Sequence, residues 1–299
     1  MTLPPAPGAP LGLFDPSTEP LPAAVPLDKV GSLRRAIPYA VRPGFRPLQL
    51  DLYEPAAAQS PPVVLFLHGG GWRLGSRTVF CPTWRHWRPD PFARLVAAGF
   101  AVVSAEYRLS GEAVFPAQLD DVTDALRWVG SRADELGVDP DRVVLWGESA
   151  GGNLAALLGL STTRARAGAV VGVVDWYGPS NLTTMAAQAR PDAVARSDAA
   201  DSREALLIGA LVADEPELAR AASPVAYVHA AAPPFHIAHG TADRLVPADQ
   251  SKELADALHR AGASVELDLV EGADHMWQGA ADPEHIFTRA LDFIRRVAV

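Results

Sequence analysis

Short apolar runs alternate with amphipathic segments along most of this chain, and this alternation limits the folds open to it. Residues 63–67 (Val-Val-Leu-Phe-Leu) and 143–146 (Val-Val-Leu-Trp) are typical of strands covered on both faces. Between these runs, apolar residues recur at steps of four and three, as on one face of a helix: Phe115, Leu119, Val122, Leu126 and Val129. Strands that alternate with helices predict an α/β fold with a mostly parallel, doubly wound sheet.

The same alternation extends along the rest of the chain, with one interruption. We predict further strands at residues 48–52, 101–103, 170–174, 235–238 and 265–269, and helices at 92–98, 152–160, around 254–258 and at 286–294. Residues 183–222 lack any strand signal and predict a small helical cap insertion in one domain spanning 29–299. Residues 1–28 contain eight prolines, so we expect an extended or disordered arm there.

Composition excludes several classes of function. The net charge of −9 argues against nucleic acid or an anionic membrane as a partner. The single cysteine, Cys81, excludes an intrachain disulfide, and the spacing of the histidines does not suggest metal ligands, so we expect no metal and no cofactor. No apolar stretch could span a bilayer and no signal peptide is recognisable, which predicts a cytoplasmic protein. The sequence does not determine whether the protein forms a homo-oligomer.

The sequence Gly-Glu-Ser-Ala-Gly at residues 147–151 lies where a predicted strand meets a predicted helix. A serine on such a tight turn has a strained backbone that lifts its hydroxyl above the sheet edge. The flanking glycines let the strand and the helix approach closely. Acyl transfer by serine also requires a base, a carboxylate that orients the base, and donors for the developing oxyanion. Whether Ser149 is a nucleophile therefore depends on whether the rest of the chain supplies a base, an acid and oxyanion donors.

An acid and a base follow Ser149, each on a loop after a predicted strand. Asp243 comes after the strand at 235–238, and His275 comes after the strand at 265–269. Open α/β sheets place their sites at the carboxyl ends of strands, where these loops begin. Asp175 is the alternative acid, since it also follows a strand. Asp274 is adjacent to His275, so we expect its side chain to point elsewhere.

A glycine-rich loop, His-Gly-Gly-Gly-Trp at residues 68–72, follows the buried strand at 63–67. Consecutive glycines let backbone N–H groups turn toward a ligand, because no Cβ blocks the approach. We expect an oxyanion hole formed by the N–H groups of Gly70, Gly71 and Ala150, with Gly69 as a further candidate. The histidine is expected to brace the loop.

Together these segments resemble an α/β-hydrolase carboxylesterase of the hormone-sensitive-lipase-like and bacterial feruloyl-esterase-like branches. The segments that carry the resemblance are 68–72, 106–109 (Glu-Tyr-Arg-Leu), 147–152, 239–243 (His-Gly-Thr-Ala-Asp) and 274–275. The tryptophan after the three glycines favours the feruloyl-esterase-like branch. The resemblance runs from about Leu48 to the C-terminus. It implies that Ser149 is the nucleophile, Asp243 the acid and His275 the base.

We therefore predict a serine carboxylesterase that hydrolyses small to medium esters through an acyl-enzyme. One alternative is an amide or aryl-formamide hydrolase, or an acyltransferase, with the same three residues. The other is a non-catalytic ligand-binding module. Gibberellin receptors resemble this family but lack the catalytic histidine, so the presence of His275 counts against that alternative.

We expect several other residues to have structural rather than catalytic roles. Glu148 and Glu106 are expected to bond neighbouring loops, and His236 to be a core histidine. Cys81 is expected to have no catalytic role. Trp72 is a candidate substrate-binding residue in a group of aromatic residues that could line an apolar pocket or pack in the core. The other members of the group are Trp84, Trp87, Trp176, Tyr177 and Trp277.

Overall fold

The chain folds around one nine-stranded sheet. The structure, a computed structural model, describes residues 15–56, 59–161 and 170–298. Within those residues the strands are β1 (Val25–Leu27), β2 (Gly31–Ala40), β3 (Leu48–Pro55), β4 (Pro62–Leu67), β5 (Ala101–Ala105), β6 (Asp139–Glu148), β7 (Val170–Trp176), β8 (Phe235–Gly240) and β9 (Val265–Val270). Their order in the sheet is β1-β2-β3-β5-β4-β6-β7-β8-β9.

Parallel pairing dominates the sheet. Every pair from β5 through β4, β6, β7 and β8 to β9 is parallel, whereas β1, β2, β3 and β5 pair antiparallel in succession. The predicted mostly parallel α/β sheet is therefore confirmed. The parallel strands end at one edge, and the loops that carry the predicted site residues begin there.

Helices cover both faces of the sheet. They are α1 (Pro91–Ala97), α2 (Ala117–Ser131), α3 (Ala133–Leu136), α4 (Ala150–Ser161), α5 (Met185–Gln188), α6 (Arg203–Ile208), α7 (Pro216–Ala221), α8 (Ala248–Arg260) and α9 (Pro283–Ala298). Val63 and Leu65 of β4 belong to a core that also contains residues of α2, α4 and α8, while Val64 and Phe66 belong to a second core that contains residues of α1 and α9. Alternate side chains of one strand thus enter two separate cores, which explains its continuous apolar sequence.

The N-terminal edge of the sheet begins earlier than the predicted boundary at residue 28. Strand β1 lies within the proline-rich segment, and its Pro26 is on an edge strand, where a missing N–H costs no ladder hydrogen bond. The segment before β1 also contacts the domain, because the indole N–H of Trp128 donates to the carbonyl of Pro16 at 3.0 Å. The first half of the predicted arm, residues 1–14, lies outside the described residues.

The segment at 183–222, between β7 and β8, contains the three short helices α5, α6 and α7 and, in its described residues, no strand. None of the helices in the described ranges is both long and apolar enough to cross a membrane. The same ranges contain no group of three or more His, Cys, Asp or Glu residues placed to hold a metal ion.

Candidate active site

The turn at Ser149 joins β6 directly to α4. Ser149 has a φ of 54°, in the left-handed region that non-glycine residues rarely adopt. A Cβ on Gly147 would lie 2.0 Å from the carbonyl oxygen of Gly151, and one on Gly151 would lie 2.0 Å from that of Leu67. Both flanking positions therefore require glycine. The close packing holds the strained serine at the carboxyl edge of the sheet.

A continuous chain of hydrogen bonds joins Ser149, His275 and Asp243. The Nε2 atom of His275 lies 2.9 Å from the Ser149 hydroxyl oxygen, and its Nδ1 atom lies 2.7 Å from the Asp243 carboxylate. An ionised carboxylate can only accept, so Nδ1 must carry a proton and donate it. In the neutral ring, Nε2 then has a lone pair directed at the serine. The arrangement can take the proton of the serine hydroxyl.

Four N–H groups surround the Asp243 carboxylate, which is 1% exposed. One oxygen accepts from the backbones of Leu245 and Val246 at 2.8 and 2.9 Å. The other lies 2.7 Å from His275 and 3.2 Å from His239. Burial favours a higher pKa for Asp243, but the hydrogen bonds from the two histidines outweigh burial and hold its pKa well below the ordinary range. The acid therefore stays ionised at neutral pH.

His239 contacts the acid, and the sequence interpretation missed this contact. Its Nε2 atom faces two acceptors, the carbonyl of Val246 at 2.9 Å and the Asp243 carboxylate, so this nitrogen carries a proton. Its Nδ1 atom accepts from the Ser251 hydroxyl at 2.7 Å. The sequence feature that could have pointed to His239 is its position four residues before the acid, in the segment 239–243.

The alternative acid, Asp175, and the neighbouring Asp274 both face other groups. Asp175 accepts the N–H of Gly178 at 3.0 Å, and burial raises its pKa to about 6. Asp274 accepts the backbone N–H of His275 and pairs with Arg244, so its carboxylate points away from the imidazole. Within the described residues, Asp243 is the carboxylate that meets the ring of His275.

The glycine loop lines the same pocket as Ser149. Gly70 and Gly71 have φ angles of 122° and 61°, and no described residue accepts a hydrogen bond from either N–H group. Ala150 is the first residue of α4, where helix geometry leaves the N–H without an intrahelical partner. The backbone of Gly69, by contrast, faces the Glu148 carboxyl and favours its ionised form. The free donors are thus those of Gly70, Gly71 and Ala150.

His68 is built into the base of this loop. Its Nδ1–H donates to the carbonyl of Gly69 at 2.7 Å, and its ring stacks on that of Tyr107 at 4.5 Å between centroids. The Tyr107 hydroxyl donates to the His68 carbonyl at 2.8 Å. Burial lowers the pKa of His68 to about 4, so the ring is neutral at pH 7. These contacts suit a bracing side chain.

Comparison with known proteins identifies the family to which this chain belongs. Residues 50–258 match the BD-FAE family. The chain belongs to the BD-FAE family. This membership confirms the predicted resemblance to α/β-hydrolase esterases of the feruloyl-esterase-like branch.

Three relatives illustrate the family likeness. Esterase LipQ of Mycobacterium tuberculosis is 32% identical over 263 residues, which cover 82% of this chain and 57% of the relative. The structure of a truncated carbohydrate esterase from gut microbiota matches with a TM-score of 0.78 at 26% identity, covering 92% of this chain and 99% of that one. Thermogutta terrifontis esterase 2 phosphoramylated by tabun gives 0.67 at 26% identity, covering 93% and 96%. This BD-FAE chain thus spans little more than half the length of LipQ.

A buried hydrogen-bond network around the Glu148 carboxyl borders the site of this BD-FAE protein. The Tyr177 hydroxyl donates to the Glu148 carboxyl at 2.6 Å, and the Cys81 thiol lies 3.7 Å from the same hydroxyl. The Tyr177 ring packs against the His275 ring at 4.7 Å between centroids. Burial raises the pKa of Glu148 to about 8. Glu148 bonds to neighbouring loops, as we expected from the sequence.

A pocket with a volume of about 240 Å³ opens above Ser149 and His275. Of the aromatic group, Trp72 and Tyr177 line it, whereas Trp84, Trp176 and Trp277 pack in the core. Trp87 stacks on Trp84. Most of the remaining lining is apolar, and it includes Leu74, Val79, Pro82, Leu245, Val246 and Met276. Arg203 and Glu204 of α6 also line the pocket, and no feature of the sequence predicted their presence there.

The other residues with structural interpretations lie away from the reacting groups. His236 is fully buried in β8 and stacks on Phe293. Glu106 pairs with Arg77 at 2.9 Å and accepts the backbone N–H of Gln49, so it ties β3 to the loop before α1. Neither side chain lines the pocket.

Proposed function

We propose that this chain is a serine carboxylesterase that hydrolyses small to medium esters through an acyl-enzyme. The observation that carries the proposal is the chain of hydrogen bonds from Ser149 through His275 to Asp243. The free N–H groups of the glycine loop beside Ser149 supply the remaining requirement of acyl transfer. Family membership and the similarity to known esterases support the same reaction class.

In acylation, the Ser149 hydroxyl oxygen attacks the ester carbonyl carbon as its proton passes to Nε2 of His275. The carbonyl oxygen becomes an oxyanion and accepts hydrogen bonds from Gly70, Gly71 and Ala150. The intermediate then collapses and the bond to the alcohol oxygen breaks. The leaving alcohol takes the proton from Nε2, and the acyl group stays on Ser149.

Deacylation repeats the same steps with water. His275 removes a proton from the water as its oxygen attacks the acyl carbon, and collapse of the second intermediate breaks the bond to Ser149. The serine recovers its proton from His275 and the free acid leaves. Asp243 stays ionised throughout, so it stabilises the imidazolium that forms in each half-reaction.

The size and lining of the pocket support esters of limited length. A cavity of about 240 Å³ with mostly apolar walls suits a short or medium acyl chain or a small alcohol. The amide and acyltransferase alternatives use the same three residues, so only the choice of substrate separates them from ester hydrolysis. A non-catalytic module would have no use for the imidazole that joins Ser149 to Asp243.

The proposal is tested by hydrolysis of p-nitrophenyl acetate, butyrate and octanoate, beside an aryl formamide and an anilide. We expect the short esters to be turned over fastest, and Ser149→Ala to lower kcat/KM at least about 10³-fold. Ser131→Ala, at the exposed end of α2, is the matched control and should match wild type. Wild-type turnover by Ser149→Ala would overturn the assignment. Faster cleavage of the formamide or anilide would move it to the amide alternative.

Location and assembly stay predictions of the sequence. The net charge of −9 argues against a nucleic-acid partner. A cytoplasmic location remains a prediction, and the sequence does not determine whether the chain forms a homo-oligomer. The absence of a cofactor requirement is likewise a prediction. It is checked by assaying ester hydrolysis after dialysis against a chelator, which should leave the rate unchanged.

A further inference from the structure

Arg203 brings a positive charge into a pocket whose walls are otherwise mostly apolar. Among the described residues that line the pocket, it alone carries a permanent positive charge. Its stem lies across Gly71, because a Cβ built on that glycine would be 2.3 Å from Cδ and 3.0 Å from Nε of Arg203. The guanidinium therefore begins beside the loop that is expected to hold the oxyanion.

The Arg203 guanidinium is partly buried and makes no hydrogen bond and no ion pair among the described residues. The carboxyl of the adjacent Glu204, which is 3% exposed, interacts with it electrostatically. The hydroxyls of Ser202 and Ser197 also stabilise the ionised form of this carboxyl. Arg203 thus has an acidic neighbour, but its five donors are not hydrogen-bonded to it.

Other arginines of the same segment are arranged differently. Arg190 pairs with Asp192 and Arg196 pairs with Asp198, both at 2.9 Å on the surface. Glu148, the other carboxyl that lines the pocket, is bonded to Tyr177 and to the loop. A guanidinium whose donors are not hydrogen-bonded at a reaction site is a ready binding group for an anion, because removing these donors from water costs free energy until they are bonded.

We propose that Arg203 binds a carboxylate on the substrate, so that the pocket selects esters carrying a carboxylate a few bonds from the scissile carbonyl. This inference rests on the proposed esterase function. A guanidinium and a carboxylate form two parallel hydrogen bonds, which fixes the position of the ester as well as its charge. The contact with Gly71 sets the short spacing, since the scissile carbonyl lies at the same loop. The carboxylate can belong to the acyl part, as in a dicarboxylic half-ester, or to the alcohol part, as in an acylated hydroxy acid.

The kinetic test compares charged esters with neutral analogues of nearly equal shape. Monoethyl succinate against ethyl levulinate probes the acyl side, and acetoxyacetate against acetoxyacetone probes the alcohol side. In wild type we expect kcat/KM to favour the charged member of at least one pair by about tenfold, with the preference falling as salt rises. Arg203→Gln should abolish the preference and Arg203→Lys should retain part of it. Arg196→Gln, a surface control, should leave the ratio as in wild type.

The outcomes separate this inference from the function on which it rests. If wild type hydrolyses the neutral esters but shows no preference for either charged one, or if Arg203→Gln keeps the preference, the inference is wrong and the esterase proposal stands. An equal loss on charged and neutral esters in Arg203→Gln would make the arginine an oxyanion stabiliser and would also overturn it.

A binding measurement decides the matter without catalysis. The Ser149→Ala protein is titrated calorimetrically with monoethyl succinate, with acetoxyacetate and with their neutral analogues. The preferred charged ester should have a dissociation constant about tenfold lower than that of its neutral analogue. Adding Arg203→Gln to that protein should remove the difference, while thermal melting reports whether the double variant is folded. Equal binding of charged and neutral esters by the folded Ser149→Ala protein would overturn the inference, even if no ester is hydrolysed.

Discussion

Asp243 illustrates how much of this site depends on hydrogen bonding around a single residue. Two backbone N–H groups fix one of its oxygens, and the side chains of His275 and His239 approach the other. These donors keep the carboxylate ionised in spite of burial. They also fix its orientation, so that Nδ1 of His275 must be the protonated nitrogen.

Replacing this acid tests the orientation directly. In Asp243→Asn the amide can present its NH₂ group to Nδ1, which favours the tautomer with the proton on Nε2, where it faces Ser149. We expect kcat/KM for p-nitrophenyl butyrate to fall by about 10²- to 10⁴-fold with folding retained. The exposed Asp198→Asn serves as a control at wild-type rate. A fall of less than about threefold in Asp243→Asn would show that the acid is a different residue.

Glu148 gives a prediction about stability and pH. Burial raises its pKa from 4.5 to about 8, so between these values the native state keeps a proton that the unfolded chain has lost. This group therefore lowers the free energy of unfolding as pH rises across that window, by up to about 1.4 kcal/mol per pH unit. The amide side chain of the variant Glu148→Gln does not titrate in this range, so the variant lacks this contribution.

Urea unfolding of wild type and Glu148→Gln at pH 5, 6, 7 and 8 measures this effect. The stability of the variant minus that of wild type should increase with pH over this range. The pKa of His68 is lowered to about 4, and its effect on stability cancels in the comparison because both proteins contain this residue. A difference that stays constant from pH 5 to 8 would mean that Glu148 is already ionised in the native state.

At the scale of elements, the junction of β6 and α4 depends on two glycines. Gly147→Ala would place a Cβ 2.0 Å from a backbone carbonyl oxygen, an approach that no side-chain rotation can relieve. We expect a loss of stability of about 3 kcal/mol or more, or failure to fold, because strand and helix must move apart.

Gly130→Ala is the matched control for that substitution. Gly130 lies in α2, and an added Cβ there meets no atom within 4 Å. Alanine is the better helix former, so this variant should gain up to about 1 kcal/mol. Chemical denaturation of both proteins provides the comparison. Equal stability of the two variants would contradict the close packing at the turn.

The elements that the sequence predicted best are those buried on both faces. Continuous apolar runs such as residues 63–67 and 143–146 are central strands, because both of their faces meet a core. Strand β2 escaped prediction for the opposite reason. It is half exposed, carries Arg34 and Pro38, and is interrupted at Ala36, whose φ is 57°. Its apolar residues therefore do not alternate regularly.

Across the whole molecule, the order of site residues along the chain was predictable and their surroundings were not. A parallel sheet brings the ends of its strands to one edge, so Ser149, Asp243 and His275 meet wherever the strands that precede them are recognised. The support from His239 and the approach of Arg203 to Gly71 depend on how loops and α6 dock in three dimensions. No periodicity or local motif encodes that docking, on which the proposed preference for a substrate carboxylate depends.

Covalent labelling by a fluorophosphonate tests the central claim most directly, since the reagent reacts with an activated serine and needs no knowledge of the substrate. Intact-mass measurement of the folded protein should show one adduct per chain, and peptide mapping should place it on Ser149. His275→Gln should slow the labelling strongly, and Ser149→Ala should abolish it. No adduct on the folded wild-type protein, or an adduct on another residue, would contradict the account.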